Sequence, residues 1–488
     1  MTIATKVLKK YFGYDQFRPG QEEIVESIIN GRDVLAILPT GGGKSICFQV
    51  PALALGSTTI VVSPLISLMK DQIENLHKRN ISATYINSSL TDEEQEQRLV
   101  DYQAGKYSFV YVSPEKLRGR KFREISKKVE IKFIAIDEAH CLSMWGHDFR
   151  PAYLEVEDFV YEVFKNKKRP VMAAYTATAT NLVIKDILEN SGLKEPLVVQ
   201  KSFARPNLHI KVKHCLDRHH KLLLTLRLLK KHKEQCGIIY VLTRRRAEQL
   251  TKILNHYIKH LDIGEIAFYH GGQNSEERSV IQERFLSGEI PIIIATNAFG
   301  MGVDKPNVRF VIHDQMSSNL ENYYQEIGRG GRDGEVADCY LLYLEGDLRI
   351  NQRFIDNSKD AFPEQIETLN LKLRVVEKYV AEYACRQQAI LNYFDEKCES
   401  GCGHCDFCLK DTLATMSEEK QTFKKLLTIR NLLADQQHLI PSSVCTKLSL
   451  AYVAALGVDS LGSEKMPGLG TGFRKHYLPF FKEKLGYN

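Results

Sequence analysis

The feature that most limits how this chain can fold is an alternation of two patterns. Short β-branched runs (DVLAILP from Asp33, TTIVVSPL from Thr58, ATYINSS from Ala83, SFVYVSP from Ser108, KFIAIDE from Lys132 and VMAAYTATA from Val171) are each followed by a longer amphipathic stretch. Strands separated by helices cannot be joined by tight hairpins, so they demand crossovers and a parallel α/β sheet. The pattern pauses between Ser202 and Asn207 and restarts with LHIKVKHC, GIIYV, EIAFYH, PIIIAT, RFVIHD and CYLLYL. After Glu345 it stops. A helical run from Glu364 then leads into a cluster of cysteines, and a polar connector from Lys410 to Ser417 precedes a final helical segment. The expected fold class is therefore α/β: two tandem parallel-sheet lobes over 1–203 and 204–345, a helical metal-binding module over 346–410 and a small all-α domain over 418–488. A chain of 488 residues exceeds one hydrophobic core, in keeping with that division.

Two stretches of the first lobe carry chemistry. The strand ending at Pro39 runs into Thr40-Gly41-Gly42-Gly43-Lys44-Ser45 and then a helix. Glycines let the backbone curl its N–H groups toward phosphate oxygens, Lys44 reaches the terminal phosphates, and the Ser45 hydroxyl can ligate Mg²⁺. Leu38 replaces the first glycine of the general phosphate-loop pattern, a variant used by superfamily 2 helicases. The second stretch is Asp137-Glu138-Ala139-His140, directly after the apolar IKFIAI. Carboxylates at the carboxyl end of a central parallel strand face the same crevice as the phosphate loop. That position suits Asp137 to hold Mg²⁺ through water and Glu138 to orient and deprotonate the attacking water. In the second lobe, Gln325-Glu326-Ile327-Gly328-Arg329-Gly330-Gly331-Arg332 offers two arginines three apart. Phosphoryl transfer leaves excess negative charge on equatorial oxygens, which makes Arg332 the candidate arginine finger with Arg329 beside it.

The eleven cysteines are unevenly spread, with five between Cys385 and Cys408. Cys402-x-x-Cys405-x-x-Cys408 together with Cys385 supplies four thiolates, enough for a closed tetrahedral Zn²⁺ site, and the clustering favours metal over a disulfide framework. Cys398 breaks the three-residue register, and His404, between two cysteines, fits a ligand role poorly. The net charge of +6 is mild for a nucleic-acid binder, but from Ser417 to Asn488 ten Lys and Arg stand against six Asp and Glu. Neither a secretory signal nor a membrane-spanning run is evident, so an intracellular chain is expected, cytoplasmic and nucleoid-associated or nuclear according to its source.

Taken together, these residues resemble the RecQ group of superfamily 2 helicases, and the resemblance covers residues 5 to 410 nearly without gaps. Tyr11-Phe12-Gly13-Tyr14-Asp15-Gln16-Phe17-Arg18-Pro19-Gly20-Gln21 is similar to the RecQ adenine-recognition motif. This implies that Tyr14 stacks on the base while Arg18 and Gln21 bond to its edge. Cys141 to Pro151 (CLSMWGHDFRP) is similar to the aromatic-rich loop of these enzymes and holds the single tryptophan of the chain. By that likeness Trp145, His147, Phe149 and Arg150 meet unpaired DNA, the aromatic faces stacking on bases. Ser63 in SPLISLMKDQ and Thr296 in IATNAFGMGVD are assigned to DNA contact in the same way, and Gln325 to the nucleotide. Met144, Ser317 and Gly330 depart from what relatives usually carry.

The segment from Glu418, with Met466-Pro467-Gly468-Leu469-Gly470-Thr471-Gly472 followed by Arg474 and Lys475, more loosely resembles an HRDC domain, implying phosphate contacts from Arg474 and Lys475. The connector before it has no room for a winged helix. The resemblance implies two RecA-like lobes, ATP, Mg²⁺ and Zn²⁺ as cofactors, and 3′ to 5′ unwinding of DNA in recombination, repair and replication. Single-stranded, duplex or branched DNA, a single-strand-binding protein and a topoisomerase are the partners it implies, for a monomeric enzyme. An RNA helicase and a non-catalytic zinc-dependent DNA-binding protein are the competing readings.

Overall fold

The computed structural model describes residues 2–486 apart from 147, 216, 259–262, 301–304, 359–361, 399, 411–413, 457 and 463–468. The chain forms two compact units, one from residues 1–204, 361–368 and 390–398, the other from 205–360, 369–389 and 399–488. No helix among the described residues is long and apolar enough to cross a membrane.

Unit 1 is built on a parallel sheet of β1 (Val34–Ile37), β2 (Thr58–Val62), β3 (Ala83–Ile86), β4 (Phe109–Val112), β5 (Ile131–Ile136), β6 (Val171–Thr176) and β7 (Leu197–Gln200), in the order β3-β4-β2-β5-β6-β1-β7. β1, β2 and β4 are buried along their whole length, as strands covered on both faces must be, which is why they show no alternation of apolar and charged residues. The β7 strand is not among the runs picked out in the sequence. It is an edge strand with Val198 43% exposed, so its apolar signal is only three residues long.

Unit 2 carries a second parallel sheet of β8 (Leu208–His214), β9 (Cys236–Tyr240), β10 (Ile266–Tyr269), β11 (Ile292–Ala295), β12 (Val308–His313) and β13 (Ala337–Tyr343), in the order β10-β11-β9-β12-β13-β8. All six overlap the runs expected from sequence, with β9, β12 and β13 beginning one or two residues earlier, at Cys236, Val308 and Ala337. The edge strand β8 is not left open beside the cysteines: the Asp406 amide donates to Ile210 O at 3.2 Å, and the Asp406 carboxylate accepts from Val212 N at 2.9 Å. Covering an edge in this way removes a row of unpaired backbone groups.

The helix Arg218–Lys231 explains where the C-terminal segment goes. Lys221, Leu222, Leu223, Leu224, Thr225 and Leu226 are consecutive and all buried, so this stretch of helix is covered on every side. Strand residues Ile239, Ile312 and Leu342 join it in a cluster that also holds Leu426, Ile429, Leu433, Leu450, Val453, Phe473 and Phe481 of the C-terminal helices. The helices Ala414–Gln436, Lys447–Leu456, Thr471–His476 and Leu478–Leu485 thus share the core of unit 2.

Candidate functional site

In unit 1 the strand β1 delivers the chain to a glycine loop, and the helix Lys44–Leu55 follows directly. Gly41 and Gly43 take φ of 82° and 77°, the left-handed region a side chain resists, and a Cβ on Gly43 would lie 2.3 Å from Gln21 Nε2. The loop is therefore built around glycine on both conformational and steric grounds. Its shape is held from the N-terminal segment. Gln21 Nε2 donates to Gly42 O at 3.0 Å and to Gly43 O at 3.3 Å, Gln21 Oε1 accepts from Arg18 N at 2.9 Å, and Arg18 Nη1 donates to Gly41 O at 2.7 Å. Tyr14, four residues before Arg18, stands 52% exposed. Thr40 and Ser45 are half-buried at the two ends of the loop.

The acidic pair sits where β5 ends. Asp137 N still donates to Val62 O at 2.8 Å, extending the pairing with β2 by one residue, and Glu138 then turns out of the sheet with φ 49°. This sharp turn puts Glu138 Oε1 3.3 Å from Lys44 Nζ, so the phosphate-loop lysine and the acidic pair share one crevice. Glu138 Oε2 lies 3.3 Å from His140 Nδ1, which is also 3.1 Å from Thr176 Oγ1 at the end of β6. Asp137 is 3% exposed; its Oδ1 accepts from Glu138 N and its carbonyl from the Tyr153 hydroxyl. Burial, and after it the Glu138 charge, push the Asp137 carboxyl up to about 6 against the pull of Lys44. A buried acid so displaced is a natural ligand for a divalent cation, whose charge would return it to the ionised form. Asp137 and Ser45 are the residues that would hold Mg²⁺, and the glycine loop and Lys44 fit a nucleotide triphosphate.

The aromatic loop grows directly from His140. Gly146 packs so tightly that a Cβ there would lie 2.2 Å from His140 O, and Gly146 N donates to Ser143 O. This tight fold leaves Trp145 44% exposed and Met144 39% exposed, with Phe149 half-buried. Arg150 Nη1 donates to Pro64 O at 2.9 Å, and Nε and Nη2 to Asp148 Oδ2, which ties the loop to the segment after β2. His147 lies outside the described residues. Ser63 and Thr296, at strand ends, are only 1% and 6% exposed. Sequence reading missed Thr176, Tyr153 and Asp186, the last accepting from Ser143 Oγ at 2.6 Å. Only the run TATAT around Thr176 offered a hint.

In unit 2 the helix Leu320–Ile327 ends before Arg329, so the two arginines stand in the turn that follows it. Arg205 donates to the carbonyls of Gly328, Gly330 and Gly331, and Asn207 to Gly331 O, which fixes that turn. Arg329 is 6% exposed, and its Nε has no hydrogen-bond partner among the described residues. Arg332 and Gln325 are half-buried. Ser317 donates to Glu326 Oε2, which His313 also contacts at 2.8 Å, so this departure from the RecQ pattern is built into a buried network.

The four cysteines converge. All four sulfurs lie within 4.8 Å of one another, and the pairs Cys402–Cys408 and Cys385–Cys405 are each 3.9 Å apart. Tetrahedral zinc with Zn–S bonds of about 2.3 Å requires sulfurs roughly 3.8 Å apart, so the set is a Cys₄ zinc site. Backbone N–H groups of Cys402 and Cys405 point at the sulfurs of Cys385 and Cys402, both at 3.3 Å. His404 instead bonds Gln387 and lies beside His209, away from ligand duty. Beyond the last cysteine, 466–468 of the HRDC-like turn are outside the described residues, Arg474 Nη1 donates to Leu469 O, and Lys475 is exposed.

Three family profiles match along the chain: DEAD/DEAH box helicase over residues 18–187, helicase conserved C-terminal domain over 219–334 and RecQ zinc-binding over 345–409. The ATP-dependent DNA helicase RecQ of Bacillus subtilis (strain 168) is 41% identical over 406 residues, covering 83% of this chain and 66% of the relative. The chain thus spans just under two thirds of that protein. A putative ATP-dependent RNA helicase, R290, of Acanthamoeba polyphaga mimivirus is 42% identical over 83% of this chain and 71% of its own length. The ATP-dependent DNA helicase RecQ of Synechocystis sp. (strain ATCC 27184 / PCC 6803 / Kazusa) is 33% identical over 83% of this chain and 98% of its own length. With helicase and RecQ zinc-binding profiles in order along the chain and that identity carried across nearly the whole of a relative, this protein belongs to the RecQ helicase family.

Proposed function

We propose that this protein is an ATP-dependent DNA helicase that moves 3′ to 5′ along single-stranded DNA and separates duplex ahead of it. The observation that carries the reading is the continuity of Lys44, Glu138 and His140 with the loop that exposes Trp145. In this reading Tyr14 stacks on adenine, with Arg18 and Gln21 at its edge, and the glycine loop cradles the phosphates while Gln325 also serves the nucleotide. Lys44 leaves Glu138 for the terminal phosphates. Ser45 and Asp137 would hold Mg²⁺, which when bound would supply positive charge to the phosphates. Glu138, released, takes the proton of the attacking water, and Arg332 with Arg329 neutralises charge that grows in the transition state. Trp145, Phe149 and Arg150 grip unpaired DNA, aided by Ser63, Thr296 and, in an HRDC-like segment, Arg474 and Lys475.

Hydrolysis measured with single-stranded DNA, duplex DNA and single-stranded RNA, beside strand displacement on 3′- and 5′-tailed duplexes, tests this directly. The expected result is strong stimulation by single-stranded DNA, displacement from the 3′ tail, and loss of both in Lys44→Ala, with a fall of about 10²- to 10³-fold in hydrolysis. Stimulation by RNA alone would transfer the activity to the RNA-helicase reading, which the likeness to the mimivirus relative keeps in view. Displacement undiminished in Lys44→Ala would overturn the motor altogether.

A further inference from the structure

The aromatic loop leaves one of its attachments unexplained by nucleotide or DNA chemistry. Ser143, fully buried, donates its hydroxyl to Asp186 Oδ2 at 2.6 Å, and Ser143 Oγ in turn accepts from Trp145 N at 3.1 Å. A length of 2.6 Å is that of a hydroxyl bound to a carboxylate, among the stronger hydrogen bonds a protein makes. Asp186 lies on the helix Asn181–Asn190, which is capped by Thr180, the last residue of the TATAT run. It is one turn short of the helix end, on an element that no part of the nucleotide site uses. We infer that Asp186 is a positioning residue for the DNA-sensing loop: through Ser143 it fixes the backbone of Trp145, and so presents the indole in a preset orientation before DNA arrives.

The inference rests on the reading that this loop takes unpaired DNA. Three contacts define the loop at rest: His140 with Thr176 at its root, Arg150 with Pro64 O on its return, and Ser143 with Asp186 at its turn. The last of these fixes the tryptophan. If it is removed, the turn must be ordered when a base stacks on Trp145, and that cost appears in DNA affinity rather than in the rate at saturation. The loss of one bond to a carboxylate corresponds to about a tenfold rise in the DNA concentration giving half-maximal hydrolysis. A purely structural part for Asp186 would instead lower the maximal rate or the yield of folded protein.

Trp145 is the single tryptophan of the chain, so its fluorescence reports this loop alone. The experiment compares the full-length parent, Asp186→Ala and Asp186→Asn, using anisotropy and acrylamide quenching of Trp145 without DNA, then titration of hydrolysis with an oligo-dT strand. Asp186→Ala is expected to lower the anisotropy, raise quenching, and raise the half-maximal oligo-dT concentration about tenfold with an unchanged maximal rate. Asp186→Asn, which retains an acceptor, should recover most of the affinity and also serves if the alanine variant folds poorly. Anisotropy and half-maximal concentration within twofold of the parent in both variants, or a lower maximal rate at unchanged half-maximal concentration, would overturn the inference. A parent whose Trp145 fluorescence does not respond to oligo-dT would fail one step earlier, sinking the DNA reading of the loop and this inference with it.

Discussion

Asp137 should make the protein less stable than an uncharged residue in its place would. Burial and the Glu138 charge raise its carboxyl from 3.8 to about 6. A carboxyl raised in the folded state binds its proton more tightly there than in the unfolded chain, so stability falls as pH rises from about 4 toward 6 and stays reduced above. The displacement of about two pH units corresponds to on the order of 3 kcal/mol at pH 8, shrinking to about 1 kcal/mol at pH 4.5. Asp137→Asn removes the charge and keeps an oxygen for the Glu138 amide, which now lies 3.0 Å from Oδ1. The variant should therefore be more stable than the parent by those amounts while losing hydrolysis. Trp145, the only tryptophan, lies in unit 1, so denaturant unfolding followed by its fluorescence reads the stability of the unit that contains Asp137. A gain of equal size at both pH values would mean that the effect is packing, not charge. No gain at pH 8 would mean that Lys44 alone already compensates the buried acid, leaving the site no need of a cation.

Two further outcomes follow from unit 2. Stripping zinc with a chelator should release one equivalent per chain and lower the exchange protection of the Val212 amide, because Asp406, between two ligands, accepts that N–H on the edge of β8 not paired with β13. Hydrogen exchange over residues 208–214 checks this, and unchanged protection would refute it. Phe473→Ala should cost about 3 to 5 kcal/mol locally. Phe473 is 5% exposed and its ring lies 5.3 Å from that of Phe481, so exchange over 471–486 should accelerate while that of β9 to β12 changes little.

What could be read in the sequence was whatever depends on local pattern. The six strands of each restarting run announced themselves because buried parallel strands leave no polar alternation, and the glycine loop, acidic pair and cysteine spacing are each contiguous or periodic. The edge strand β7 escaped because an edge needs only one well-covered residue, here Val199. The latch between Ser143 and Asp186, the clamp of Arg205 and Asn207 on the arginine turn, and the tie from Gln21 to the glycine loop were invisible for a different reason. Each joins residues far apart in sequence through one or a few hydrogen bonds, and no periodicity records such a partnership.

The leucine-rich helix Arg218–Lys231 shows how an over-hydrophobic element predicts its own cover. A helix lying on a sheet with its other side in water would carry a polar stripe, whereas here consecutive leucines at 222, 223 and 224 are all buried. The C-terminal helices supply the missing cover and are fused to unit 2 through it. Arg474 and Lys475 follow Phe473 directly, so their backbone is anchored in that shared core even though Lys475 itself is exposed. If these residues do hold a DNA phosphate, the grip belongs to unit 2 and moves with it, unlike that of a domain on a flexible tether. Lengthening the chain between Lys410 and Ala414, ahead of the helix Ala414–Gln436, with glycine and serine should then leave DNA affinity nearly unchanged, because the shared core sets the position of the segment.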